Sequence, residues 1–325
     1  MAWLAGWSYR KSHIINPSVG AGANYQVTIT ANYGAGVDNG EDVYCNSKCK
    51  TDFGDIRFTD DDGSTLLDYW MESSVASDNA VFWVEVKDSL EAAGRTIYVY
   101  YGKDVATTSN GVDTFLFFDH FDGASLDLAY WNVTAGAEPP VTGSEVQLGE
   151  GQSDAYCYIV TDNLDGIVSG KELRIKARVI QISAGGHGTQ TFGLGIGKAA
   201  DAGFNSAGWY DFGGGRVYRW LDAGIDFEAK TTPAVGSYIF YFRVQSDQIV
   251  FDASGTVNIN SVRLGSPTLQ SNNIMLNTGW DGRVYVDWVF ERKYTSPEPA
   301  HSSWGYEEPP PGFITLIKKV GPGAV

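Results

Sequence analysis

Residues Gly208 to Gly224, GWYDFGGGRVYRWLDAG, combine the two kinds of side chain that hold a sugar. The rings of Trp209, Tyr210, Tyr218 and Trp220 offer flat apolar faces to sugar C–H groups, and Asp211, Arg216 and Asp222 supply directional hydrogen bonds. In an extended chain, alternation sets Tyr218 and Trp220 on the face opposite Val217 and Arg219, so one aromatic pair is expected to belong to the core.

Cys45 and Cys49 stand close together in VYCNSKCKTD, flanked by turn residues, and are a candidate disulfide closing a small loop. Free thiols and a metal site are the alternatives. Zinc wants four ligands, and neither a second Cys pair nor clustered His accompanies this one. Cys157, in the strand-like DAYCYIV, reads as a buried small hydrophobe. His13, His120, His187 and His301 are scattered without metal-site spacing, and no Gly-x-Ser-x-Gly elbow occurs. The glycine-rich GLGIG and DFGGGR do not join a strand to a helix, so they read as turns and not as phosphate cradles.

The charge balance narrows the partners. Lys and Arg number 23 against 39 acids, a net charge of −16, and no basic cluster exceeds Arg292-Lys293 or Lys318-Lys319. A nucleic acid needs a basic face to neutralise its phosphates, so none is expected as a partner. No apolar run is long enough for a membrane span. The opening MAWLAGWSYRK lacks the basic and apolar regions of a secretory signal, so either a signal has been removed or none is used.

The elements that must position these residues are strands. WSYRKSHIIN, YQVTITANY, VFWVEV and TIYVYYG alternate large and polar residues, and DIRFTDDDGSTLLDYWME sets two strands as a hairpin around Asp60-Asp61-Asp62-Gly63. Further on, ELRIKARVIQIS, TFGLGIGKA, GWYDFG, RVYRWLDAG, SYIFYFRVQSDQIVFDAS and NNIMLNTGW carry the same signal between Gly-rich turns, and no helical periodicity persists. The fold class is all-β, with two β-sandwich domains in tandem. Residues 1–105 form the first, 106–115 a polar linker, 116–308 the second, and 309–325 a Pro-rich tail. In that tail Phe313, Ile314, Leu316 and Ile317 form one possible strand, which needs a sheet edge of its own chain, a neighbour or an assembly partner.

The order WSYRKSHIIN, DFGDIRFTDDDG, LDYWME, VFWVEV, IYVYYG, over about residues 3–105, resembles the uncharacterised domain family numbered 2341. The resemblance implies a non-catalytic β module of multidomain extracellular and virus-associated proteins. FFDHFDGASLDLAYW and the closing GRVYVDWVFERKYTSPEPAHSSWGYEE resemble the first and last strands of concanavalin A-like and laminin G-like jelly rolls, which include lectins and glycanases. That resemblance implies a structural calcium near the two chain ends, where Asp119, Asp122 and Asp287 are the candidate ligands. Glycanases of this fold carry Glu-x-Asp-x-x-Glu on one strand; in YVDWVF the glutamate positions hold Tyr285 and Phe290, leaving Asp287 alone without an acid/base partner.

The expectation is therefore a protein without enzymatic activity, displayed on a virion or outside a cell, with attachment or decoration as its work. Its partners would be a glycan or a host or cell-surface receptor, further copies of itself, or capsid and tail proteins. One alternative is a self-assembling filament or capsid-associated subunit that uses the C-terminal strand. The other is a glycoside hydrolase or polysaccharide lyase.

Overall fold

The computed structural model describes residues 2–149, 157–161, 169–181, 192–197, 207–211, 216–220, 228–231, 235–255, 259–264, 273–279 and 282–311. The chain divides into two compact units, Met1–Thr114 with Pro299–Val325, and Phe115–Glu298. The second unit is thus an insertion between two parts of the first.

Unit 1 contains β1 (Tyr9–Ile15), β2 (Tyr25–Asn32), β3 (Asp42–Tyr44), β4 (Arg57–Thr59), β5 (Tyr69–Val75), β6 (Asn79–Val86), β7 (Arg95–Tyr101) and the short helix α1 (Gly111–Thr114). Unit 2 contains β8 (Phe117–Asp119), β9 (Trp131–Ala135), β10 (Val146–Leu148), β11 (Cys157–Thr161), β12 (Lys171–Gln181), β13 (Phe192–Gly197) and β14 (Ala207–Asp211). It continues with β15 (Arg216–Trp220), β16 (Glu228–Thr231), β17 (Gly236–Val244), β18 (Gln248–Gly255), β19 (Ile259–Leu264), β20 (Asn273–Thr278) and β21 (Arg283–Lys293). The chain then returns to unit 1 as β22 (His301–Trp304).

Unit 1 is a sandwich of two sheets ordered β22-β1-β7-β4 and β3-β2-β6-β5. Alternation decides which side chains enter its core. Val27, Ile29 and Ala31 of β2 and Phe82 and Val84 of β6 meet Ile15, Phe58, Val99 and Tyr101 of the facing sheet. The hairpin expected around Asp60–Gly63 differs in the structure. The turn is present, with Asp62 Oδ1 accepting from the Ser64 and Thr65 backbone N–H groups and Gly63 at a φ of 76°. Yet β4 pairs with β7 and β5 with β6, so the chain changes sheet after a single bridge between Thr59 and Leu66.

Residues 299–308, assigned from sequence to the jelly roll, also lie elsewhere. They belong to unit 1, where β22 pairs antiparallel with β1. Glu308 and Arg10 exchange both backbone hydrogen bonds and form an ion pair at 2.8 Å, which fixes the end of the segment. Trp304 donates from Nε1 to the Gly40 carbonyl.

Unit 2 is the expected jelly roll. One sheet runs β10-β21-β12-β17-β18-β19 with β8 on β21, and the other runs β16-β15-β14-β13-β20-β11-β9. On β12, Leu173, Ile175, Ala177 and Val179 enter the core, while Glu172, Arg174, Lys176 and Arg178 alternate with them. On β21 the register shifts opposite Lys176 and Ala177, so Val284 and Val286 hand over to Val289 across an extra residue, Asp287.

Candidate functional site

The sheet of unit 2 that contains β13, β14 and β15 has two unlike faces. A register row running Ile159, Leu276, Leu194, Trp209, Arg219 passes through the three buried core residues Ile159, Leu276 and Leu194. The neighbouring rows alternate away from that core. One runs Tyr158, Asn277, Gly193, Tyr210, Tyr218, and the other Val160, Met275, Gly195, Gly208, Trp220. Tyr158, Val160, Met275 and Asn277 are all buried, although none belongs to the sandwich core.

Three glycines, Gly193, Gly195 and Gly208, stand side by side in these outer rows. Lacking Cβ atoms, they add no side chain to these rows, and Gly193 and Gly195 are themselves buried. Of the sequence-predicted residues, Tyr210, Tyr218 and Trp220 occupy the outer rows, and Arg216 shares their alternation on β15. Trp209 falls in the core row, and Asp211 pairs with Phe192 and Val217 in a row of the same parity. Asp222 lies outside the described residues, as do Phe313, Ile314, Leu316 and Ile317.

The candidate calcium ligands are not brought together. Asp119 Oδ1 accepts from Phe121 N at 2.8 Å and Oδ2 from Trp131 Nε1 at 2.7 Å, so both oxygens serve to seat a core tryptophan. Burial raises the Asp119 pKa, against those hydrogen bonds. Asp122 faces His120, and Asp287, on β21, holds Lys176 Nζ at 2.7 Å. Among the described residues no cluster of three or more metal-ligating side chains forms.

Cys45 and Cys49 are free thiols, both buried, which differs from the expected disulfide. The pair remains in contact: a hydrogen bond to Cys49, burial and the charges of Cys49 and Asp55 push the Cys45 thiol well up, against Lys11. Raised pKa and burial together make for an inert thiol. Thiol titration of the native chain with an aromatic disulfide reagent is therefore expected to leave Cys45 and Cys49 unreacted until denaturant is added. Immediate modification of either would contradict the buried pair.

Two arrangements escaped the sequence. On the sheet that contains β12, Glu172 is fully buried and its carboxylate takes Arg174 Nε at 2.5 Å, Arg292 Nε at 2.6 Å and Arg243 Nε at 2.5 Å. Asp252 and Glu298 cap the outer ends of Arg243 and Arg292. In unit 1, His13 Nε2 lies 2.8 Å from His301 Nδ1 across 288 residues, and the His13 ring stacks on Trp304 at 3.9 Å. The strand partners that supply Arg243 and Arg292 to Glu172 are set by topology. Nothing local joins His13 to His301.

DUF2341, a domain of unknown function, matches residues 52–134. The match supports the assignment of the N-terminal domain and runs on through the junction into β8 and β9. A search of curated proteins finds no match. Among solved structures, the chain is similar to one described as "Prominent members of the human gut microbiota express endo-acting O-glycanases to initiate mucin breakdown", at 15% identity and a TM-score of 0.42, covering 56% of this chain and 100% of the other. It is also similar to the catalytic domain of an endo-1,3-beta-glucanase (laminarinase) from Thermotoga petrophila RKU-1, at 14% identity and a TM-score of 0.39 over 58% of this chain and 97% of the other. A third is a prokaryotic beta-1,3-1,4-glucanase (lichenase) derived from a mouse hindgut metagenome, at 12% identity and a TM-score of 0.41 over 55% of this chain and 99% of the other. The expectation of a protein without enzymatic activity is corrected on this finding, because the proteins that share the jelly roll are described as glycan-cleaving enzymes. No helix among the described residues is long and apolar enough to cross a membrane.

Proposed function

We propose that unit 2 engages a glycan along the outer face of the sheet that contains β13, β14 and β15, in an extracellular or surface-displayed protein to which unit 1 contributes a companion module. The observation that carries this reading is the run of Tyr210, Tyr218 and Trp220 in register rows that continue from the glycines Gly193, Gly195 and Gly208. A Cβ-free strip beside aromatic positions suits a pyranose ring, whose C–H face wants a flat apolar surface and whose hydroxyls want backbone or side-chain partners. Arg216, in the same alternation, adds a donor for an acidic or hydroxyl-rich sugar. Attachment to a host or cell surface follows if the glycan is carried there.

Affinity electrophoresis against a panel of polysaccharides tests this reading, with new reducing ends measured in the same samples. Retention by at least one polysaccharide is expected, weakened about tenfold by Tyr218→Ala or Tyr210→Ala, the loss typical of one truncated aromatic anchor. Release of reducing ends would add a hydrolytic step on that face. A folded chain that no polysaccharide retains would defeat the proposal.

A further inference from the structure

His13 and His301 tie the last strand of unit 1 to its first. The edge strand β22 is short, its register on β1 is interrupted between His13 and Ile15, and its backbone bonds are few. Asn16 N donates to Ala300 O and Gly305 N to Ser12 O at the two ends. What fills the interval is the ring stack of His301, His13 and Trp304, with centroids 5.1 Å and 3.9 Å apart.

At 2.8 Å, one imidazole nitrogen must donate and the other accept, so the pair holds together with a single proton between the facing nitrogens. Protonating the accepting nitrogen as well sets two donors against each other and charges one ring, and a further proton on the other ring makes two like charges. His13 is completely buried, and no carboxylate faces it among the described residues. Along β1 on the same side, Lys11 is engaged by Asp38 and the Tyr44 carbonyl. From β7, Ile97 stands opposite His13, while Tyr101 further along is bonded to Glu307 and Arg95 is turned to Asp88 and the Ser89 carbonyl. From β22 only His301 is ionisable, and Arg10 with Glu308 sits on the neighbouring residues of the opposite alternation.

We propose that β22 is an acid-released strand, held on the edge of β1 at neutral pH by the shared proton of His13 and His301 and let go when both rings are protonated. Burial, then the neighbouring His301 ring, lower the His13 pKa to about 3, against a backbone contact at Ser303. A histidine lowered in the folded state contributes stability that is intact above its ordinary pKa, about 6.5, and falls progressively as pH drops toward the folded value. Once detached, the His13 imidazole regains water and an ordinary pKa, so each pH unit below about 6.5 favours the released strand roughly tenfold through His13.

The release is local. Glu307 and Glu308 still hold Lys48, Tyr101 and Arg10. Glu307 is in fact lowered, since the bonds from Lys48 and Tyr101 outweigh its burial. The strand would therefore open as a tethered loop, baring the β1 edge to solvent or to another strand.

Amide hydrogen exchange on the full chain between pH 7 and 4, corrected for the intrinsic pH dependence of exchange, tests this. The amides of Asn16 and Gly305 are expected to lose protection below about pH 6, reversibly, while β2, β6 and the Arg10–Glu308 bridge stay protected. His301→Gln keeps a neutral partner for His13 and should shift that loss to lower pH. Protection of β22 that persists to pH 4, or that disappears together with β2 and β6, would overturn the proposal from the wild-type measurement alone.

Discussion

Glu172→Gln is expected to destabilise the jelly roll by about 3–5 kcal/mol, the usual cost of removing one partner from a buried ionic cluster. Glu172 is the hub of that cluster, fully buried and in contact with Arg174, Arg243 and Arg292. Gln fits the space, but it cannot accept from three guanidinium groups, and Arg292, itself only 1% exposed, would lose the carboxylate that its Nε faces. Urea unfolding followed by fluorescence measures the loss, and a change within about 0.5 kcal/mol would mean that the arginines are solvated after all. A second variant sharpens the test. Replacing Glu172 and Arg292 together by apolar residues of similar volume should recover much of the loss, because the desolvation of both charges disappears with them.

The same carboxylate sets a pH dependence opposite in position to that of the histidines. Burial raises the Glu172 pKa, but Arg174, Arg292 and Arg243 outweigh it and the net shift is downward. A carboxylate lowered in the folded state contributes stability that is complete above its ordinary pKa, about 4.3, and is lost as pH falls below it. Acid therefore acts on unit 1 first, through His13, and on unit 2 about two pH units later, through Glu172. Two separate acid transitions in circular dichroism are the expected signature.

The strands were legible in the sequence wherever one face is buried, because alternation and burial are the same physical fact. KELRIKARVIQ and YQVTITAN show it, and both become strands within a residue or so of the reading. What alternation does not carry is which strands are neighbours. The turn at Asp60–Gly63 is correctly marked by its Asp and Gly, yet the strands on either side belong to different sheets, since β4 and β5 find better partners in β7 and β6. The aromatic run after Gly208 was legible as a candidate site, and topology then divided it: Trp209 shares its row with Leu194 and Leu276, and Tyr210 shares its row with Gly193. The Glu172 cluster and the His13–His301 pair depend wholly on long-range pairing, and neither has a local signature.

Cutting the chain after Glu298 is expected to leave unit 2 intact and to destabilise unit 1 by on the order of 5 kcal/mol, which rivals the entire stability of many domains. Phe115–Glu298 is contiguous and closes its own core, and Arg292 keeps Glu298. Unit 1, by contrast, would lose β22 and everything anchored beyond it. Arg10, 5% exposed, would lose Glu308; Tyr101, fully buried, would lose Glu307; and His13 would lose both its proton partner and the covering Trp304 ring. Arg10 keeps the Ala2 carbonyl and the Tyr100 hydroxyl, but each loss removes a hydrogen bond from a buried polar group, and such losses cost more than the missing apolar area alone. Differential scanning calorimetry should resolve a preserved jelly-roll transition and a unit 1 transition moved to much lower temperature. A truncated chain whose two transitions match those of the full chain would show that β22 is an ornament on the sheet. Selective loss would show that unit 1 folds only after the inserted jelly roll has been made, because its last strand is encoded on the far side of it.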